Sequence, residues 1–235
     1  MEANPLTHDF WPQSDSRFKS IAAGVIHYTG GRSVQGDLNY LDSLDKDHSK
    51  SASYNFLLGE GRDIQLVDFE TGRAWHAGKS QLNMGKHTLL SLNPSSIGIA
   101  VSNPGWTRTP SEECYIPAPL PGTGDIVYWA PYNRVDISNL IKLVVKIHSA
   151  IGRSIPWVGH SDVSPMRKQD PGPLFPWSEF HEGVSGHMGK PEAHSALDYL
   201  EKARVTARSE SVTSDGIRLV KKIEDAIAWS VYTGP

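Results

Sequence analysis

Apolar residues recur along the chain at strand and helix spacings and predict the main elements of an α/β domain. Ile21, Ala23, Val25 and His27 fall on one face of a period-two run, which predicts a core strand that delivers His27 at its end. Residues 96–101 form a continuous apolar run, which is typical of a buried central strand. These two segments are the expected centre of a sheet.

Helical spacing appears twice before residue 160. Residues 34–47 carry Leu38, Leu41 and Leu44 at helical spacing within a mostly polar remainder, which predicts an amphipathic helix. Residues 137–151 carry a longer apolar stripe that ends at Gly152, and Asp136 is expected to cap its start. Residues 157–160 then predict a short strand that ends in a second histidine.

Turn-rich segments separate the remaining predicted strands. Residues 53–58 and 64–69 flank the turn-forming stretch 59–63 and predict a strand, a turn and a strand. Residues 74–77 are expected to add a short strand, whereas the many Pro and Gly residues of 104–134 predict a long surface excursion.

The pattern divides the chain into three parts. We predict an N-terminal extension over residues 1–19, one domain over 20–185 and a helical C-terminal extension over 186–235, where Ala, Glu, Lys and Arg become common. The domain is predicted to be of the α/β class, with a central mixed β-sheet flanked by helices.

The composition of the chain argues against several classes of partner and of protein. With 23 basic and 26 acidic residues, a formal charge of −3 argues against a nucleic-acid partner or an anionic membrane surface. One cysteine excludes an internal disulfide framework, and no stretch reaches the roughly 20 apolar residues of a membrane span. The start lacks a basic segment followed by an apolar one, so we expect cytoplasmic synthesis without a signal peptide.

Two histidines and one carboxylate stand out as potential metal ligands. His27 and His160 end predicted strands, and Asp170 lies in the loop that follows. Two imidazoles and a carboxylate are the ligand set of an open catalytic zinc site, which keeps a fourth position for water. Taken singly, each residue also has a structural reading: a strand-end histidine often only hydrogen-bonds, and Asp before Pro-Gly is common in turns.

Five segments carry a family resemblance. They are VIHYTGG (25–31), SASYNFLLGEGRDIQLV (51–67), RAWHAGKS (73–80), NPSSIGIAV (93–101) and GHSDVSPMRKQDPGPLFPW (159–177). In these segments, and in their order, the sequence resembles the type 2 N-acetylmuramoyl-L-alanine amidases, a family that includes phage amidase lysozymes and peptidoglycan recognition proteins. The resemblance implies a zinc enzyme that cleaves the amide between N-acetylmuramic acid and L-alanine.

The resemblance also implies roles for individual residues. His27, His160 and Asp170 would bind Zn²⁺, and Lys168 and Tyr54 would assist catalysis beside it. Substrate contacts are expected from a further group of side chains, namely His76, Trp75 and Asn55. His148 lies on the apolar stripe of its helix and is predicted to be a core histidine.

One departure from the family pattern bears on the physiological role of the protein. Recycling amidases carry a glutamate directly after Ser-Ile-Gly-Ile, where this chain has Ala100. We therefore expect a wall-degrading endolysin or antibacterial effector that reaches the periplasm or cell wall after export or lysis. The alternatives are a cytosolic amidase that recycles anhydro-muropeptides and a non-catalytic peptidoglycan-binding protein. The C-terminal helices could contact a protein partner or the wall.

Overall fold

The protein was analysed as a computed structural model. It describes residues 20–46, 52–84, 87–109, 115–121 and 123–188. The predicted N-terminal extension lies outside the described residues, as does the C-terminal extension from residue 189 onward, so both stay predictions. None of the helices within the described residues combines the length and the apolarity needed to cross a bilayer.

A five-stranded mixed sheet forms the centre of the domain. Its strands are β1 (Ala23–Tyr28), β2 (Phe56–Gly59), β3 (Arg62–Gln65), β6 (Ser96–Val101) and β10 (Trp157–Gly159). They are ordered β10-β1-β6-β2-β3, and only the β2–β3 pair is antiparallel. The strands at 21–28 and 96–101 were predicted as the sheet's centre, and they are neighbours there.

Helices cover both faces of the sheet, as the predicted fold class requires. They are α1 (Val34–Lys46), α2 (Arg134–Ile151), α3 (His160–Val163) and α4 (Trp177–Met188), with a 3-10 turn at Asn93–Ser95. The stripe of α2 packs with α4 against Ile26, Ile97 and Ile99, while α1 packs against Leu57 and Ala100 on the other side. Each such aliphatic side chain contributes about 1.5–3 kcal/mol when fully buried.

The chain segments that connect the central strands form two small sheets. One is the hairpin of β4 (Gln81–Met84) and β5 (His87–Leu90). The other joins β7 (Trp106–Thr107), β8 (Ile116–Pro119) and β9 (Ile126–Trp129) in the order β7-β9-β8. The predicted excursion over 104–134 therefore carries a sheet of its own, which buries Val127 and Trp129.

Two local expectations were wrong. Residues 74–77 form no strand, since they run as an irregular segment over the sheet. The cap of α2 is Asn133, whose side chain accepts from the Val135 N–H, whereas Asp136 is buried and accepts from the Gly61 N–H at 2.8 Å. Gly186, where the predicted C-terminal extension begins, lies in α4, and the extension itself stays a prediction. His148 is a buried core residue as predicted and accepts a bond from Trp157 Nε1 at 2.9 Å.

Candidate metal centre

The pairing of two parallel strands brings the two predicted histidine ligands together. Ile26 of β1 lies opposite Gly159 of β10, so the next residues, His27 and His160, come side by side at the carboxyl end of the sheet. Their ring centroids are 4.5 Å apart. The edge of a parallel sheet where strands end is where α/β proteins build their sites.

The third predicted ligand, Asp170, is held beside them by main-chain bonds of its own loop. The Asp170 carbonyl accepts from the Ser161 N–H at 2.8 Å, and the next carbonyl, that of Pro171, accepts from the Tyr132 hydroxyl at 2.8 Å. One bond fixes the loop to α3, directly after His160, and the other fixes it to the segment before α2. The carboxylate is thus placed by main-chain contacts on both sides.

The three side chains converge on one carboxylate oxygen. Asp170 Oδ2 lies 2.8 Å from His27 Nδ1 and 3.0 Å from His160 Nδ1. His27 and His160 are 1% and 2% exposed and Asp170 is 8% exposed. One ligand atom from each residue lies within 4.8 Å of the other two, and this is the only such group of His, Cys, Asp or Glu found among the described residues.

Burial and mutual contact set the charges of this cluster. Burial lowers the pKa of His27 to about 4, against the opposing effect of Asp170, so its imidazole is neutral at neutral pH. Burial opposes ionisation of Asp170, but its close contacts with the His160 and His27 rings outweigh burial and hold the pKa of the carboxyl well below its usual range. Neutral imidazoles and an ionised carboxylate are the protonation states that a metal requires.

The donor set fits a divalent ion such as zinc. His160 Nε2 donates to the Ala77 carbonyl at 3.2 Å, so in the neutral ring Nδ1 turns its lone pair toward the Asp170 carboxylate. Two acceptors facing each other at close range call for a cation between them. Ligand atoms of a tetrahedral zinc site with bonds of 2.0–2.1 Å lie about 3.3 Å apart, and the two nitrogen-to-oxygen distances here are 2.8 and 3.0 Å. Three protein ligands would leave a fourth position open.

The two expected catalytic residues both lie near this cluster. The Tyr54 ring is 5.2 Å from that of His27, centroid to centroid, and packs beside the α1 core that includes Ala100. Burial and then the charge of Asp170 raise the pKa of Tyr54, so its hydroxyl keeps its proton. The charge of Lys168 adds to burial in lowering the pKa of His27, which places its ammonium within electrostatic range of the site.

The three expected substrate contacts lie at different depths. Trp75 is 39% exposed, and the Arg73 guanidinium stands 5.0 Å from its ring centroid, so Trp75 is accessible to a ligand. Asn55 is fully buried, and its side chain bonds the Gly98 N–H at 2.9 Å and the Val67 carbonyl at 3.3 Å. Asn55 therefore ties β6 to the segment around Val67, and its contact with substrate stays a prediction. His76 is buried against His27, Nδ1 to Nε2 at 3.0 Å.

Several supporting residues were not singled out in the sequence. Arg167 donates to the Ala77 and Lys79 carbonyls at 2.8 Å each and so fixes the segment that receives His160 Nε2. Ser96 bonds His76, and Gly98 leaves room for the His76 ring. The sequence does carry a signal for Ser96 and Gly98. In β6, small residues at 96, 98 and 100 alternate with large apolar residues at 97, 99 and 101. Small residues on one face indicate a side chain packed over that face.

Two known amidases are similar in sequence to half or more of this chain. AmiD, an N-acetylmuramoyl-L-alanine amidase of Escherichia coli K12, is 30% identical over 197 residues, 80% of this chain and 61% of AmiD. AmpD of Enterobacter cloacae, a 1,6-anhydro-N-acetylmuramyl-L-alanine amidase, is 32% identical over 125 residues, 52% of this chain and 51% of AmpD. The matches thus span about half to three fifths of these relatives.

A solved structure and a family model agree with this similarity. Escherichia coli AmiD, in complex with the substrate anhydro-N-acetylmuramic acid-L-Ala-D-γ-Glu-L-Lys, superposes with a TM-score of 0.57 and 26% identity, over 89% of this chain and 80% of AmiD. The model of the Amidase_2 family, described as N-acetylmuramoyl-L-alanine amidase, matches residues 17–173, which include all three candidate ligands. The chain belongs to the N-acetylmuramoyl-L-alanine amidase family Amidase_2.

Proposed function

We propose that the protein is a zinc-dependent amidase that hydrolyses the bond between the lactyl group of N-acetylmuramic acid and the L-alanine of the stem peptide. The observation that carries this proposal is the convergence of His27, His160 and Asp170 within the segment that matches the family. His27 and His160 would bind zinc through Nδ1 and Asp170 through Oδ2. Zinc so bound supplies a Lewis acid for the carbonyl and a water that ionises near pH 7.

The protein's own groups handle the charge and the protons of the reaction. Lys168 stabilises the negative charge that develops on the lactyl carbonyl oxygen, and the Tyr54 hydroxyl donates to the same oxygen. When the C–N bond breaks, the L-alanine nitrogen takes the proton of the Tyr54 hydroxyl, and a proton from the attacking water then restores that hydroxyl. The water's second proton ends on the amine, so the products are the lactyl carboxylate and the L-alanine ammonium group.

Catalysis is favoured over binding alone by the completeness of the site. A family member that only binds peptidoglycan needs the groove but not the metal, whereas here both imidazoles, the carboxylate and Lys168 are present together. The buried, ionised state of Asp170 supports this reading, since such a group is stable only beside a cation or strong donors.

The experiment is mass spectrometry of products from muropeptide and from intact sacculi, with the zinc-loaded protein, the chelated protein and the protein restored with Zn²⁺. We expect free stem peptides that begin with L-alanine, lost on chelation and regained with zinc. The His160→Ala variant should be inactive, while His187→Ala, an exposed site on α4, should match the wild type. Full activity after verified metal removal, or cleavage at another bond, would refute the proposal.

Intact peptidoglycan is our proposed physiological substrate, with the protein acting as an endolysin or antibacterial effector in the periplasm or cell wall. Ala100 supports this choice: it lies opposite His27 in the β1–β6 pair, so the glutamate of recycling amidases is missing next to the metal centre. The alternative, recycling of anhydro-muropeptides, is supported by the substrate in the AmiD complex. Turnover on sacculi that exceeds turnover on soluble anhydro-muropeptides is the expected result, and the reverse would favour recycling.

A further inference from the structure

His27, His76 and Ser96 are three buried polar side chains that form a hydrogen-bonded chain, and this chain ends on the main-chain carbonyl of Leu92. His27 Nε2 lies 3.0 Å from His76 Nδ1, and His76 Nε2 lies 3.0 Å from Ser96 Oγ. Ser96 Oγ in turn donates to the Leu92 carbonyl at 2.7 Å. All three side chains are buried, so water does not compete for these bonds.

The carbonyl at the end fixes the direction of every bond in the chain. A carbonyl only accepts, so the single hydroxyl proton of Ser96 points to Leu92, and Ser96 Oγ accepts from the His76 Nε2–H. In neutral His76 the other nitrogen, Nδ1, then carries a lone pair and accepts from the His27 Nε2–H. His27 is left with its Nδ1 lone pair facing Asp170, which is the form that binds a metal.

We propose that His76 is a positioning residue that holds His27 in its metal-binding tautomer, and that Ser96 holds His76 in turn. The substrate contact expected of His76 from the sequence stays a separate prediction. The proposal rests on the proposed function only for the identity of the ion, since Ser96 and the Leu92 carbonyl fix the tautomer of His76 whether or not a metal is bound.

The main-chain carbonyl of Ala77, the residue after His76, orients the imidazole of His160 in the same way. The Ala77 carbonyl accepts from His160 Nε2, and Ala77 is itself fixed by Asn93 Oδ1, which accepts from its N–H at 2.7 Å. The consecutive residues His76 and Ala77 therefore orient both histidine ligands, one by a side chain and the other by a carbonyl. An irregular segment that crosses the sheet edge can present both groups, whereas a regular strand would direct its carbonyls into a ladder.

The first test needs no variant. Two-bond ¹H–¹⁵N correlation spectra distinguish the two neutral tautomers of each histidine, and they are recorded with and without Zn²⁺. We expect His76 to carry its proton on Nε2 in both states, and His27 and His160 to carry theirs on Nε2 when Zn²⁺ is bound. A proton on His76 Nδ1 in the zinc-loaded protein would overturn the proposal.

The second test is zinc affinity, measured by competition with a chromophoric chelator. His76→Leu removes the acceptor and should weaken zinc binding about 10–100-fold, the usual effect of losing a partner of a metal-bound histidine. His76→Asn places an amide oxygen near the position of Nδ1 and should restore most of the affinity. His187→Leu, an exposed histidine on α4, serves as the control and should bind zinc as the wild type does.

Stability is checked in parallel, so that loss of folding is not mistaken for loss of positioning. If His76→Leu does not fold, Ser96→Ala, which removes only the far end of the chain, should bind zinc several-fold more weakly and populate both tautomers of His76. Wild-type affinity in the folded Leu variant would refute the proposal. A wild-type protein that cleaves no peptidoglycan but shows the expected tautomers would refute the proposed function alone.

Discussion

The His76 imidazole rests directly on the main chain of Gly98. A Cβ atom built on Gly98 would lie 2.4 Å from His76 Cγ and 2.7 Å from Cδ2, closer than real Cβ contacts. The Gly98 N–H donates to Asn55 Oδ1 and the Gly98 carbonyl accepts from the Asn55 N–H, both at 2.9 Å, and these bonds hold β6 in place. The depth at which His76 meets His27 is therefore set by the absence of a side chain at position 98.

Gly98→Ala should displace the imidazole and lower the free energy of unfolding by about 1–3 kcal/mol, the typical effect of overpacking a core. Zinc affinity should fall with it, because His27 loses its partner. The measurements are urea unfolding and chelator competition. Gly186→Ala is the control: a Cβ there meets nothing within 4 Å, and alanine in a helix is favoured over glycine by about 0.5–1 kcal/mol. An unchanged Gly98→Ala protein would contradict this account of the packing.

The sequence predicted the strands and the candidate ligands of the site better than the strand register that brings them together. The strands that carry His27 and His160 follow from local alternation, and the ligand set follows from family resemblance. The register that brings Ile26 opposite Gly159 depends on packing between segments over 130 residues apart, which local patterns do not encode. Likewise, residues 74–77 contain strand-forming types, yet their segment is held by side-chain bonds such as that of Ala77 to Asn93.

Lys168→Ala should retain zinc but lower kcat about 10²–10³-fold, the usual result of removing one group that stabilises an oxyanion. The ligands are untouched, so the chelator titration should match the wild type while product formation falls. Lys146→Ala removes an exposed lysine of α2 and should change neither quantity. Equal turnover in the Lys168→Ala and Lys146→Ala proteins would show that Lys168 has no catalytic role.

Tyr54→Phe removes one hydroxyl and keeps the ring that packs beside the α1 core. Because burial raises the pKa of Tyr54, the hydroxyl is a proton donor throughout the working range, and its loss should lower kcat with little change in KM. Unfolding experiments should show a stable fold. Tyr40→Phe, at an exposed tyrosine of α1, is the matched control. If KM rose while kcat held, Tyr54 would instead bind the substrate in its ground state.

His181 gives the domain a pH dependence remote from the metal centre. Its ring stacks on Trp177 with centroids 5.4 Å apart, and burial lowers its pKa from 6.5 to about 4. The folded state therefore prefers the neutral ring, so this contribution to stability is present above pH 6.5 and is lost as the pH falls toward 4.

The comparison of wild type with His181→Gln isolates this effect, because the titration of His27 is common to both proteins. Between pH 7 and pH 5 the wild type should lose up to about 2 kcal/mol more unfolding free energy than the variant, as follows from a pKa difference of this size. Urea unfolding of the zinc-free proteins at the two pH values measures it. His187→Gln, on the exposed side of the same helix, should behave as the wild type does. Parallel pH profiles for wild type and His181→Gln would mean that His181 is protonated as readily in the folded chain as in the unfolded one.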